Sequence, residues 1–233
     1  MDLMTSGHDS IGDPKAAIPE GAEQARSAAF ALFSRLVSSP FDAGLAQGGL
    51  VPVDIEDALR EVERALPYTI DLSLLLEAAQ RLLEDGGTAS EREYGAIFEV
   101  GRSGPPLPIR QELLFDETRS AQKKEEIVRY YEHFSYSLNP DRQWAPDHLS
   151  VALEFQHFLA YRASVAPDPE TFLLASHDFS SRHLADWTSM LAQTVAHKSE
   201  DSYLRTLFHS VAAFIDADLR HLQHRLEIRE SLA

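Results

Sequence analysis

From Glu20 to the end of the chain, apolar residues recur three and four positions apart, and no segment alternates with the two-residue period of a strand. That pattern confines the chain to helices. Ala25, Ala28, Ala29, Leu32, Phe33, Leu36 and Val37 mark a first helix, stopped at Ser38-Ser39-Pro40. Asp54 opens a second through Ile55, Leu59 and Val62, and Asp71 a third through Leu72, Leu75, Leu76 and Leu82. A short helix from Ser90 carries Tyr94, Ile97 and Phe98. Lys123 to Leu138 carries Ile127, Tyr130, Tyr131 and Phe134 in one stripe. A helix opened by Pro146 follows. The next runs through Leu173, Leu184, Trp187, Leu191 and Val195, with a kink or split expected near His177. The last runs from about Glu200 through Leu204, Phe208, Val211, Ile215 and Leu222. The expected fold class is all-α, a single helical-bundle domain over residues 20–233 with a smaller N-terminal helical half. Residues 1–19 read as a disordered tail. The breakers in Gly101-Arg102-Ser103-Gly104-Pro105-Pro106-Leu107-Pro108 predict a long Pro-rich loop over 101–120. Loops of that length are functional or disordered.

Charge narrows the function classes. A net charge of −16 and a pI near 4.9 argue against nucleic acid, which needs a basic footprint, and against anionic lipid. They suit a basic ligand such as an arginine-bearing peptide, although solubility alone explains much of such charge. The absence of cysteine removes disulfides, thiolate metal sites and cysteine nucleophiles together. No apolar run approaches the ~18–20 residues that cross a bilayer, so no stable membrane insertion is expected. Met1 to Glu20 lacks a basic-then-apolar export signal, so the expected location is cytoplasmic.

Ala145-Pro146-Asp147-His148-Leu149-Ser150 follows the break at Asn139-Pro140-Asp141 and opens an amphipathic run. Proline suits a first helical turn, and Asp147 is suited to cap free N–H groups there. His148 then stands beside that acid, which can orient the ring and raise its proton affinity. The plainer reading is a capped helix start with His148 on the surface. On this helix Ser150, Glu154, His157 and Tyr161 fall opposite the apolar arc of Val151, Ala152, Phe155, Phe158 and Leu159.

Catalytic motifs are missing: there is no Gly-x-Ser-x-Gly elbow and no phosphate-binding Gly-x-x-x-x-Gly-Lys loop. Nucleophilic catalysis therefore finds little support. Glu154-x-x-His157 and Asp218-x-x-His221 share the spacing of di-metal helical bundles, and they define the alternative, a helical di-metal-binding protein. The outward face of Glu154 and His157 counts against it. Asp218 lies on the apolar side of the last helix, where a carboxylate must be paired. Arg225 or an arginine from another helix is the expected partner.

The stretch at 145–155 resembles the signature of the TorD/DmsD/NarJ family of molybdoenzyme maturation chaperones. Glu93-Tyr94-Gly95-Ala96-Ile97-Phe98 resembles that family's Tyr-x-x-Leu-Phe helix, and Gly104-Pro105-Pro106-Leu107-Pro108 its proline crossing. Phe179 to Trp187, with His183 and Leu184, resembles its Phe-x-x-x-His-Leu-x-x-Trp helix. Where the family often has Tyr-Glu-Ser after the prolines, this chain has Ile109-Arg110-Gln111-Glu112, so only Glu112 corresponds. Ala152 and Gln156 stand where the family often has Glu and Met. The details are closer to the branch serving type II dimethyl-sulfoxide-reductase-class enzymes.

The resemblance implies a non-catalytic, system-specific chaperone. Its partner is the apo catalytic subunit of a molybdenum oxidoreductase, often engaged through its twin-arginine leader. The chaperone itself needs no cofactor, since the client carries the bis-molybdopterin guanine dinucleotide. It is expected as a monomer or homodimer. The expected client-binding residues are Pro146, Asp147 and His148, with Glu112 and Glu154 as further polar candidates. Tyr94 and Phe98 form an apolar wall or, equally well, pack in the core. His183 and Trp187 read as structural.

Overall fold

A computed structural model describes residues 21–40, 54–84, 88–101, 106–111, 116–138, 145–200 and 202–230. The tail expected at 1–19 and Glu112 lie outside the described residues. The helices are α1 (Ala22–Leu36), α2 (Ile55–Ala65), α3 (Ser73–Glu84), α4 (Thr88–Tyr94), α5 (Glu117–His133), α6 (Leu149–Val165), α7 (Glu170–Phe179), α8 (Ala185–Lys198) and α9 (Ser202–Glu230). Two π-helical segments, Gly95–Val100 after α4 and Ser180–Leu184 between α7 and α8, complete the described elements. Among the described residues there is no strand, only an isolated bridge between Arg110 and His148. The all-α expectation holds. Among them, too, no helix is long and apolar enough to cross a membrane.

The central helix is α6, and it corrects the amphipathic expectation. Its supposed polar face packs antiparallel on α1, the most extensive helix pairing among the described residues. Ser34 Oγ donates to the Ser150 carbonyl at 2.8 Å, and one pair of turns along, His157 Nδ1 lies 2.9 Å from both Oγ and the carbonyl of Ser27. Ser150 is fully buried and His157 half-buried; of that face only Tyr161 is exposed. The helix approaches this closely because α1 offers Ala22, Ala25, Ala29, Ser27 and Ser34. Ala28, expected on the apolar stripe, faces solvent instead, and Arg26 is buried. The other face of α6 sets Phe155 among Tyr131, Phe179 and Tyr136, with ring centroids 4.8–5.3 Å apart. Tilted and edge-on aromatic pairs at that spacing add to plain area burial.

Helix α5 departs from expectation at both ends. It starts at Glu117, inside the loop predicted over 101–120, because the Asp116 carboxylate accepts from Arg119 N–H at 3.0 Å and caps the first turn. It stops at His133 rather than Leu138. Tyr136 N–H bonds the Tyr131 carbonyl at 2.8 Å and Ser135 N–H bonds that of Glu132 at 3.1 Å. This is the bond pattern of a glycine-type helix stop. Here Ser135 adopts φ 54° in glycine's place. The split expected near His177 falls a few residues later, at the π segment Ser180–Leu184.

Candidate functional site

The start of α6 is built differently from its sequence reading. Pro146 and Asp147 sit in a turn closed by His148 N–H to the Ala145 carbonyl at 2.9 Å, so neither lies in the first helical turn. The cap is His148: its Nδ1 accepts from Ser150 N–H at 3.2 Å and lies 3.0 Å from Ser150 Oγ. Asp147 is therefore free of the capping role expected of it. His148 is buried rather than on the surface. Tyr131 donates its hydroxyl hydrogen to the Pro146 carbonyl at 2.8 Å, which ties the turn to α5.

Residues 106–111 strap this turn to both π segments. A π turn leaves carbonyls without their usual helical partners. Leu107 N–H fills one at Ile97, at 2.8 Å. Leu149 N–H then bonds the Ile109 carbonyl at 3.0 Å, and Gln111 N–H bonds the Asp147 carbonyl at 3.1 Å. The buried side chain of Gln111 reaches the second π segment, where Nε2 donates to the His183 carbonyl at 2.9 Å. Its Oε1 lies 3.3 Å from His183 Nδ1. Since that oxygen can only accept, Nδ1 carries the imidazole proton and Nε2 is bare. His183 is 1% exposed. Burial, reinforced by Lys123, pushes its pKa down to about 4, against the opposing pull of Glu126. At neutral pH the 3.7 Å approach of Nε2 to Glu126 is therefore not an ion pair.

Asp147 completes the turn. It is 3% exposed, and among the described residues no donor hydrogen-bonds its Oδ1. Lys124 Nζ of α5 stands 3.8 Å from that oxygen, beyond hydrogen-bond range, with its side chain 43% exposed. A buried carboxylate oxygen without a donor carries a desolvation cost that a cationic donor would relieve.

The opposite flank of α5 lines an open groove of about 550 Å³. Its walls are Tyr130, Phe134 and Glu126 from α5, Leu174 from α7 and Arg182 from the second π segment. Leu174 is exposed. Residues 124 and 131 point to Asp147 and its turn, whereas 126, 130 and 134 point to the groove, half a helical turn away. Helix α5 thus separates the signature turn from the accessible concave surface.

The remaining candidates lie elsewhere. Tyr94 is buried, its hydroxyl donating to the Val37 carbonyl at 3.1 Å, and its ring packs on Phe98, which packs on Phe208. These are core contacts, so the apolar-wall alternative for Tyr94 and Phe98 falls. Glu154 is half-buried on α6. Asp218 is fully buried with both oxygens taken: Arg26 Nε and Tyr68 hydroxyl bond Oδ1 at 2.6 and 2.7 Å, and Arg26 Nη2 bonds Oδ2 at 2.8 Å. The partner is thus the arginine of another helix, and Arg225 pairs with Glu23 instead. Glu23 also accepts from Arg26 at 2.5 Å, and Ser176 Oγ from Arg26 at 3.0 Å. Burial opposes the Arg26 charge, but Asp218 and then Glu23 outweigh it and raise its pKa above the ordinary value. Neighbouring His221 is pushed down to about 4, first by burial and then by Arg26. With Asp218 committed and His157 engaged on Ser27, the two Glu/Asp-x-x-His pairs do not converge. Among the described residues no three metal-ligating side chains do.

Sequence reading did not single out Lys124 or Gln111. Gln111 carried one signal, an uncharged polar residue closing a proline loop between charged neighbours.

A family model described as "Nitrate reductase delta subunit" matches residues 56–193. The chain is 33% identical over 122 residues to the chlorate reductase assembly chaperone protein of Ideonella dechloratans, covering 48% of this chain and 63% of that one. It is 34% identical over 101 residues to the selenate reductase assembly chaperone protein of Thauera selenatis, covering 42% and 52%. It is 24% identical over 148 residues to the perchlorate reductase assembly chaperone protein of Dechloromonas aromatica, covering 60% and 66%. The matches span between about half and two thirds of these relatives' own lengths. No solved structure matches the chain.

Proposed function

This chain belongs to the nitrate reductase delta subunit family, and we propose that it is a system-specific assembly chaperone for the catalytic subunit of a molybdenum oxidoreductase. The observation that carries this is the agreement of three relatives, each named an assembly chaperone of a reductase whose substrate is an oxyanion. The chaperone binds the apo catalytic subunit and performs no turnover. It holds the subunit open until the bis-molybdopterin guanine dinucleotide has entered, and so delays export from the cytoplasm. The cofactor belongs to the client.

Two features suit this work. The α5–α7 groove offers a partly apolar surface to an incompletely folded chain. Asp147 offers a buried carboxylate to a cationic side chain, and the twin-arginine leader is the client segment that carries two. An overall charge of −16 draws such a segment in.

The test is capture of partners from the native cytoplasm on the full chain, with mass spectrometry, repeated at raised salt. One apo catalytic subunit of a molybdenum oxidoreductase, recovered with its leader and released by salt, is the expected result. Recovery of the mature, cofactor-loaded subunit, or of no such subunit, would overturn the reading.

A further inference from the structure

We propose that the α5–α7 groove carries a carboxamide position at one end, where His183 and Glu126 accept from the –NH2 of a glutamine or asparagine side chain and Lys123 donates to its carbonyl. The proposal deepens the chaperone reading and rests on it only for the source of the polypeptide that brings the amide.

The geometry begins with an unused acceptor. His183 is 1% exposed, and among the described residues nothing donates to its Nε2. Gln111 fixes the ring proton on Nδ1, so Nε2 presents a lone pair. A buried acceptor without a donor carries an uncompensated desolvation cost. The bare nitrogen faces Glu126, whose Oε2 stands 3.7 Å away. The Glu126 side chain is 42% exposed and lines the groove. Two acceptors at that separation are within reach of one donor nitrogen, since hydrogen bonds of ~2.9 Å to both close the triangle. Lys123 supplies the opposite polarity, its Nζ donating to the same Oε2 at 3.0 Å. Residues 123, 126 and 130 share one face of α5, so the position opens towards the walls of Tyr130, Phe134 and Leu174.

This arrangement discriminates among polar groups. A carboxylate has no hydrogen to give Nε2 and meets Glu126 as a like charge. A hydroxyl has one hydrogen, which serves one acceptor. An ammonium or guanidinium meets Lys123 and Arg182, whose charges already act against protonation of His183. A carboxamide is neutral and carries two N–H donors and a carbonyl. Its donors match the two acceptors, and its carbonyl takes a hydrogen from Lys123, which has three. The wall beside the position is fixed: the Tyr130 hydroxyl donates to Asp178, which Arg182 Nε also bonds at 2.7 Å. The committed occupant is a polypeptide segment in which one glutamine or asparagine is flanked by apolar side chains, the amide at the notch and its neighbours on the walls.

The experiment titrates the full chain with acetyl-Ala-Leu-Gln-Leu-Ala N-methylamide, and with the same peptide carrying methionine or lysine in place of glutamine. The N-methylamide end keeps a second primary amide out of the probe, and acetamide serves as the small-molecule probe. NMR follows both affinity and the Nε2 nitrogen resonance of His183. The proteins are the wild type, Glu126→Ala and Lys123→Met, each checked for native helicity. The glutamine peptide is expected to bind about five- to thirtyfold tighter than the methionine peptide, the size of one or two net hydrogen bonds. It is expected to move the Nε2 resonance, which the methionine peptide leaves in place. The lysine peptide is expected to bind no tighter than the methionine one. Glu126→Ala is expected to bring the preference for glutamine over methionine below about twofold, and Lys123→Met to remove part of it. Equal affinity for the glutamine and methionine peptides, the result that a water at this position gives, would overturn the proposal. So would an unmoved Nε2 resonance, a lysine peptide as tight as the glutamine one, an unchanged preference in both variants, or no peptide binding at all. Acetamide binding as tightly as the peptide overturns the polypeptide source. If partner capture fails while the peptide series behaves as expected, the chaperone reading falls and the amide position stands. If capture succeeds while the peptides bind alike, the reverse holds.

Discussion

Asp218 and Asp147 are both buried carboxylates, held at opposite ends of the α6 neighbourhood under opposite conditions. Around Asp218, two oxygens receive three hydrogen bonds from Arg26 and Tyr68, and the network closes through Glu23, Ser176 and Arg225. Around Asp147, Oδ1 receives none among the described residues and its cation stands off at 3.8 Å. A buried charge that is completely paired fixes helices; one left short of a donor is available to a partner. The same burial thus holds a closed ion-pair network in one place and an unbonded carboxylate oxygen in the other.

The largest effect tests the architectural side. Arg26→Met strands Asp218 and Glu23 as buried carboxylates without their central cation. Removing one member of a buried pair costs on the order of 3–5 kcal/mol. Urea unfolding of this variant should show a loss of that size, whereas Lys124→Met should fall within ~1 kcal/mol of wild type because its pair is partly exposed. Similar losses in the two variants would erase the distinction between the regions.

The sequence carried part of this picture. Helical spacing located the helices, and the apolar setting of Asp218 announced a paired acid, with Arg225 or an arginine from another helix as its partner. It did not reveal that α6 is buried on both sides, because Ser150 and His157 look like solvent-facing residues until the small residues of α1 lie against them. Nor did it show that His148, not Asp147, caps α6, since aspartate is a favoured cap residue and histidine is not. Ser135 hid the end of α5, because no glycine marks it. The π segments and the strap across them depend on long-range bonds that no local pattern encodes. Pro146, Asp147 and His148 were legible as one constellation; Lys124 was not, because lysines on helical surfaces are common.

A smaller effect tests the strap through pH. His183 is held neutral by burial, with a folded pKa of about 4 against an ordinary value near 6.5. The unfolded chain takes up this proton first as pH falls, so between about 6.5 and 4 it binds more protons than the folded one. Stability from this group is full above about pH 6.5 and is lost progressively towards pH 4, on the order of 3 kcal/mol in all. His183→Gln should reduce the slope of unfolding free energy against pH in that window by about one proton. An unchanged slope would show that the ring is solvated and that Gln111 does not hold it.

The smallest effect bears on the recognition side, and its smallness is the point. Asp147→Asn keeps the shape of the side chain and removes a charge whose Oδ1 receives no donor among the described residues. The fold is relieved of a desolvation cost and gives up only a stand-off contact with a partly exposed lysine, worth ~0–1 kcal/mol. Stability should therefore stay within ~1 kcal/mol of wild type or rise. Asp218→Asn is the matched control: it leaves Arg26 short of a full counter-charge in a dry site and should cost several times more. Urea melts of the two variants, run side by side at pH 7, measure the difference directly. A carboxylate that the fold can lose without cost is not part of its architecture. If Asp147→Asn destabilises as much as Asp218→Asn, Asp147 is holding the α6 turn together, and the contrast between the two acids dissolves.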